Sequence, residues 1–244
     1  ALNRGLIISA VLSIIGFYLV TQYLFNDLRL FYATLTGLLT TIIIANITDY
    51  YTSKQKSPVQ NIAKASETGA ATNIIAGLAL GMKSTLLPVI VISAAILISF
   101  YFAGVFGIAM AAMGLLSLTG IIMAIDTFGP ISDNAGGIAE MAKMNKKVRK
   151  VTDALDAVGN TTKATTKGVA IASAALSALA LLAAFTEAAH LNSINITKST
   201  VLVGLLIGGM IPFLFSSFLM KAVGNAANLI VEEVRRQFKE LKLM

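Results

Sequence analysis

Polar and charged residues recur at helical spacing in one otherwise apolar stretch of the chain. The stretch carries Asp153, Asp156, Asn160, Lys163 and Lys167, which are separated by three, four, three and four residues. In an α-helix this spacing places all five side chains on one face. Carboxylate and carboxamide oxygens bind divalent metal ions, and ammonium groups neutralise oxyanions. The alternative is a helix that enters a membrane late, with its lysines reaching back to the surface.

A second group of carboxylates precedes this stretch. Asp126, Asp133 and Glu140 are seven residues apart, so an unbroken helix would place them on one face. Pro130 and the pair Gly136–Gly137 leave the helical register open, and the segment SDNAGG is also typical of a turn. Together the two groups indicate either a Mg²⁺–phosphate site or a cation-handling site inside a helical bundle.

The composition identifies the elements that must position these residues. Hydrophobic residues make up 56% of the 244 residues and charged residues 13%, whereas a soluble domain carries about 25% charged residues. Such a chain is neither disordered nor typical of a water-soluble protein. It has no cysteine and one histidine, which excludes disulfides, thiolate metal sites and multi-histidine cages.

Apolar stretches predict an all-α transmembrane fold with about six membrane-spanning helices in a single membrane domain. They cover residues 5–25, 31–50, 68–102, 104–128, 151–185 and 200–220, with helical extensions into the cytoplasm. Lys83 and Pro88 interrupt the third stretch, so we expect a broken or kinked helix there.

Basic residues orient this bundle. They cluster around residues 54–64 and 143–150 and in the tail at 235–242, which six spans would place on one side. The positive-inside rule makes that side cytoplasmic. The net charge of +7 then requires no nucleic-acid partner. The chain lacks an initiator methionine, and we expect a fragment of a longer protein.

Two long motifs resemble the membrane-integral inorganic pyrophosphatases, which pump H⁺ or Na⁺ while hydrolysing pyrophosphate. The motifs are GPISDNAGGIAEMA at residues 129–142 and TDALDAVGNTTKATTKG at residues 152–168. Shorter matches lie at residues 48–53, 67–85, 207–217 and 231–238, and Asp49 stands where the family usually has Glu. The resemblance implies a homodimer whose subunits each have sixteen helices in two rings. The spans of this chain would be the eighth to the thirteenth.

The resemblance also implies roles for individual residues. Asp133 and Asn160 would bind the Mg²⁺–pyrophosphate complex. Lys163, with Thr166, is typical of members that need no K⁺, because a tethered ammonium can supply the charge of a bound K⁺. Since the Na⁺ pumps of the family resemble its K⁺-requiring members, Lys163 indicates an H⁺ pump. Supporting roles near the site fall to Lys167, Asp126, Asp153 and Asp156, and no catalytic residue is assigned.

The family's other aspartate-rich motifs are not found in this sequence, so we expect the chain alone to be inactive. The resemblance implies Mg²⁺ as cofactor without a K⁺ requirement, pyrophosphate and H⁺ as partners in a lipid bilayer, and the cell membrane of a prokaryote with the site facing the cytoplasm. Whether Na⁺ is also moved stays open. The alternative functions are an ion-coupled secondary transporter without hydrolysis and, ranked last, a membrane scaffold.

Overall fold

The computed structural model describes residues 2–240, and side chains from residue 4 onward. Within this range it contains eight α-helices and no strand, which confirms the all-α fold. The helices are α1 (Leu2–Phe25), α2 (Leu28–Thr52), α3 (Ser57–Ser66), α4 (Ala70–Lys83), α5 (Leu86–Leu116), α6 (Thr119–Met141), α7 (Lys146–Ala188) and α8 (Ser199–Glu240).

Five helical segments of the described chain are long and apolar enough to cross a membrane. They are Arg4–Phe25, Leu28–Ser66, Ala70–Leu116, Lys146–Ala188 and Ser199–Glu240. The predicted fourth span, residues 104–128, is divided between the end of α5 and the start of α6. Helix α6, which carries three carboxylates among its 23 residues, is not one of these five segments. The protein is therefore an integral membrane protein.

The long apolar stretch before α6 contains two interruptions. The first lies at residues 84–85, between α4 and α5, next to the predicted break at Lys83 and Pro88. The second lies inside α5, where Ala103 and Gly104 leave helical geometry. Gly104 has a φ of 59°, a conformation that residues with a side chain rarely adopt. The backbone therefore changes direction where the predicted third span ends.

The chain divides into two compact units, Ala1–Phe185 and Thr186–Met244. In the first unit α2 lies close to α5, because small residues let the backbones approach. A Cβ atom on Gly37 would overlap the carbonyl of Ala111, and one on Gly114 would overlap the carbonyl of Thr34. The core of this unit draws on α1, α2, α5, α6 and α7, through residues that include Ala10, Leu38, Ile44, Leu115, Ile122, Val169 and Leu176.

The second unit contains α8. At about 1.5 Å per residue, its 42 residues are roughly 63 Å long, about twice the thickness of a bilayer core. Its apolar side chains are exposed, among them Phe213 and Phe215. Its carboxyl end is charged, and Arg236 binds both Glu233 and Glu240 there. The apolar half of α8 thus suits a bilayer and its charged half suits water.

A candidate ionic site between two helices

Helices α6 and α7 touch through small residues. A Cβ atom on Gly129 would lie 2.5 Å from Cγ of Lys163 and 3.0 Å from the carbonyl oxygen of Gly159. A Cβ atom on Gly159 would overlap the hydroxyl of Ser132. Both glycines and Ser132 are buried. The two backbones therefore approach as closely as they do because neither glycine has a side chain.

The contacts between these helices have an antiparallel register. Gly129 meets Lys163, Ser132 meets Gly159, and an added Cβ on Gly136 would lie 3.9 Å from Cβ of Asp156. As residue numbers increase along α6, the numbers of the contacting residues decrease along α7. Asp133 directly follows Ser132 in the sequence, and Asn160 directly follows Gly159. They therefore lie at nearly the same depth, although they are 27 residues apart in the sequence.

An ion pair joins Asp133 of α6 to Lys163 of α7. The Lys163 Nζ atom lies 3.2 Å from Oδ2 of Asp133 and donates a hydrogen bond to it. The carboxylate is 61% exposed and the lysine side chain 25% exposed, because the lysine stem lies across Gly129. The contact brings together a predicted metal ligand and the residue predicted to replace K⁺. Most of the carboxylate remains accessible to a ligand.

Asn160 is oriented by its neighbour one turn earlier. Its Nδ2 atom donates hydrogen bonds of 3.3 Å to Oδ1 and Oδ2 of Asp156. This arrangement uses the amide nitrogen and leaves the carboxamide oxygen available as an acceptor. Of the supporting acidic residues predicted from the sequence, Asp156 is thus the one that contacts a predicted ligand.

Two other carboxylates form a separate ionic group. Arg149 of α7 forms a salt bridge with Glu140 of α6, and its Nε atom lies 3.3 Å from Oδ1 of Asp153. The group joins α6 to the start of α7, on either side of the connecting residues 142–145. The structure therefore places Asp153 with Arg149 rather than with Asp133. Arg149 was missed from the sequence because it belongs to a cationic cluster that reads as a solvated loop.

The remaining predicted residues lie around the pair without joining it. Thr166 is 8% exposed, and its hydroxyl donates to the carbonyl oxygen of Thr162 at 3.1 Å. Lys167 is exposed and Asp126 is half-buried. Neither forms a hydrogen bond or an ion pair within residues 4–240. The contact residues Gly129, Ser132 and Gly159 were not predicted, although Gly159 directly precedes Asn160.

The donor set fits Mg²⁺ only as part of a larger site. Asp133 supplies a carboxylate and Asn160 a carboxamide oxygen, and Mg²⁺ prefers both types of ligand. Among the described residues no group of three or more carboxylate, histidine or cysteine side chains is placed to hold a metal ion. The helix pair therefore offers two suitable ligands, and a complete site needs ligands from elsewhere.

The close approach at Gly159 leads to a first prediction. We expect Gly159→Ala to separate α6 from α7 and to destabilise the chain by about 1–3 kcal/mol, because the added methyl overlaps the Ser132 hydroxyl. Gly77→Ala is the matched control, since no atom lies within 4 Å of its added Cβ and alanine favours a helix. Thermal unfolding in detergent measures both variants. A midpoint for Gly159→Ala equal to that of the parent would contradict the packing described.

The fold and the site define an integral membrane protein with an ionic site between two adjacent helices. The sequence matches the inorganic H⁺ pyrophosphatase family over residues 1–244, and the chain belongs to that family. It spans 37–38% of the length of the curated relatives described below.

Three relatives illustrate the range of the family. A K⁺-insensitive pyrophosphate-energized proton pump of Methanosarcina mazei is 52% identical over 99% of this chain and 37% of its own length. A protein of Clostridium tetani, provisionally named a K⁺-stimulated pyrophosphate-energized sodium pump, is 50% identical over the same shares. A second K⁺-insensitive proton pump, from Caldanaerobacter subterraneus, is 47% identical over 99% of this chain and 38% of its length. Overall identity thus does not separate the two ion specificities.

Proposed function

We propose that this chain forms part of a K⁺-independent, proton-pumping membrane pyrophosphatase. In this proposal α6 and α7 contribute to a Mg²⁺–pyrophosphate site that faces the cytoplasm of a prokaryotic cell, and the complete protein is a homodimer in the cell membrane. The observation that carries the proposal is the ion pair between Asp133 and Lys163, with Asn160 at nearly the same depth. Family membership and two K⁺-insensitive relatives support it.

The chain's own residues would bind and orient the substrate. Asp133 and Asn160 would hold the metal–pyrophosphate complex through their carboxylate and carboxamide oxygens, with Asn160 oriented by Asp156. Mg²⁺, when bound, neutralises the pyrophosphate oxygens and so favours attack by water. Lys163 would keep a positive charge beside Asp133. The group that activates the attacking water is not assigned to this chain.

The position of the Lys163 ammonium supports K⁺ independence. Its stem is held against Gly129, and its Nζ atom lies 3.2 Å from the carboxylate of Asp133. A mobile K⁺ would serve the same electrostatic purpose at that distance, and it would have to bind from solution each time. A tethered ammonium occupies the position at any K⁺ concentration.

A chimera tests the proposed function. This chain would replace the matching segment of the Methanosarcina mazei relative, with which it shares 52% identity. We expect the purified chimera to release phosphate from pyrophosphate in the presence of Mg²⁺ and to stop when EDTA removes the metal. The unmodified relative is the control for expression and assay. A folded chimera without Mg²⁺-dependent phosphate release would contradict the proposal.

Asp156 allows a prediction about the orientation of Asn160. In the chimera, Asp156→Ala should raise KM for Mg²⁺–pyrophosphate by roughly tenfold, because the carboxamide of Asn160 loses its partner. Asp156→Asn should recover most of this loss, since its amide oxygen still accepts from Asn160. Steady-state kinetics give KM and kcat for both variants. If Asp156→Asn were as impaired as Asp156→Ala, the charge rather than the hydrogen bond would matter, and the positioning role would be wrong.

The incomplete ligand set leads to a prediction about the chain by itself. We expect the purified 244-residue chain in lipid nanodiscs to show no Mg²⁺-dependent pyrophosphate hydrolysis, because the described residues bring no group of three or more carboxylates together to hold a metal ion. Colorimetric phosphate release measures this, with the active chimera as positive control. Hydrolysis above the protein-free background would show that the chain contains a complete site.

A further inference from the structure

A cavity lies on the far side of α7 from the ion pair. It has a volume of about 870 Å³ and is bounded by parts of α1, α2, α6 and α7. From α7 it is lined by the apolar residues Ala154, Ala157 and Val158 and by Thr161, Thr162, Thr165 and Thr166. Since Thr161 and Thr165 are offset by two residues from Lys163 and Lys167, they point to nearly the opposite face of the helix. The cavity is therefore distinct from the Asp133–Lys163 pair.

The hydroxyl hydrogens of these threonines are already used. Each donates to a backbone carbonyl of its own helix, at distances of 2.9–3.3 Å. Across the cavity, Asn46 likewise donates its amide nitrogen to the carbonyl of Ile42 at 2.8 Å. Toward a ligand the threonine oxygens can therefore act only as acceptors, while the Asn46 side chain keeps its acceptor oxygen and one amide hydrogen. Such a surface favours water molecules and cations over anions.

Asp49 adds a negative charge to this lining. Its side chain is half-buried, and it forms no ion pair within the described residues. Lys54, which also lines the cavity, lies beyond the end of α2 and is exposed. Water screens the charge of an exposed ammonium more strongly than that of a half-buried carboxylate. Of the two charges in the lining, that of Asp49 is therefore the less screened.

We propose that this cavity is a water-filled vestibule that attracts small monovalent cations, with Asp49 as its acidic residue and the threonines of α7 as its neutral acceptors. This assignment is independent of the proposed hydrolytic function, because Asp49, Thr161 and Thr165 take no part in the Asp133–Lys163 pair. A cation held there would be hydrated, since 870 Å³ is far more than one bare ion needs.

The absence of cysteine from the chain makes the test direct. Thr165→Cys places a single thiol on the cavity wall, and Thr161→Cys places another one turn away. Each variant in lipid nanodiscs is treated with a cationic methanethiosulfonate (trimethylammonium-ethyl) or an anionic one (sulfonato-ethyl). Intact-mass spectrometry follows the modification, and the rates are normalised to those of a small free thiol. Ile171→Cys, on an exposed apolar part of the same helix, is the matched control.

We expect the cationic reagent to modify Thr165→Cys roughly tenfold faster than the anionic one after normalisation. Adding Asp49→Asn should remove this preference, and Asp49→Glu should retain it. If Thr165→Cys fails to fold, Thr161→Cys reports on the same wall. Rates as slow as those of Ile171→Cys would show that lipid or another helix fills the cavity. Equal normalised rates for the two reagents would show a wet cavity without cation preference. Either result overturns the proposal.

Discussion

Asp133→Asn should reduce phosphate release from pyrophosphate by roughly 10³-fold in the Methanosarcina mazei chimera, equivalent to about 4 kcal/mol of transition-state stabilisation. The substitution preserves the size of the side chain but removes the charge that would bind the metal–substrate complex. It also leaves the ammonium of Lys163 without its counter-ion, 3.2 Å away. Steady-state phosphate release with saturating Mg²⁺ measures the effect.

The control for this prediction is Glu67→Gln, which removes an exposed carboxylate between α3 and α4. We expect it to retain parental activity. That result would show that the loss of one negative charge does not by itself explain the loss of activity in Asp133→Asn. The experiment also separates the two functions indicated by the sequence. A secondary transporter without hydrolysis would release no phosphate before the substitution. Hydrolysis that survives Asp133→Asn would remove this residue from the site.

Transfer of this chain into the Clostridium tetani relative should change that protein's response to K⁺. The relative is provisionally named a K⁺-stimulated pump and is 50% identical to this chain. If Lys163 supplies the charge of a bound K⁺, the chimera should hydrolyse pyrophosphate at the same rate with and without K⁺. Lys163→Ala in that chimera should then restore K⁺ dependence, with activity at least tenfold lower when K⁺ is absent.

The design separates the lysine from the rest of the transferred segment, since the two chimeras differ at one residue. Phosphate release in a Na⁺-containing buffer, with K⁺ from zero to saturation, measures both proteins. Lys163→Ala also frees Asp133 from its ion pair, so Lys163→Gln serves as a variant of similar length. Activity that is unchanged by K⁺ in both variants would contradict the role assigned to Lys163.

The polar face of α7 could be predicted from the sequence, because it depends only on the spacing of residues within one helix. Asp156, Asn160 and Lys163 share a helix face through their spacing alone, whatever lies beside them. The partner of each residue was not predictable in this way. Which carboxylate Lys163 would contact depends on the crossing of α6 and α7, and that crossing depends on Gly129 and Gly159. The spacing of the polar residues identifies a face of the helix, whereas tertiary packing determines which residues that face contacts.

The region around α6 shows the limit of hydropathy. Residues 104–128 are interpreted as one span because they are mostly apolar, whereas the helix is interrupted at residues 117–118, between α5 and α6. The carboxylates of α6 are evenly spaced, seven residues apart, but they do not share a partner. Asp133 pairs with Lys163, while Glu140 pairs with Arg149 near the connection to α7. The neighbouring helix and the cation that each carboxylate contacts distinguish these positions, and their sequence spacing does not reveal those contacts.

The most direct test of the central claim is proton transport by the Methanosarcina mazei chimera in proteoliposomes that contain neither K⁺ nor Na⁺. A pH-sensitive dye inside the vesicles reports the internal pH after Mg²⁺–pyrophosphate is added outside. A K⁺-independent proton pump predicts acidification of the lumen, which an uncoupler abolishes and which Asp133→Asn prevents. Hydrolysis without acidification, or acidification that appears only after K⁺ or Na⁺ is added, would contradict it.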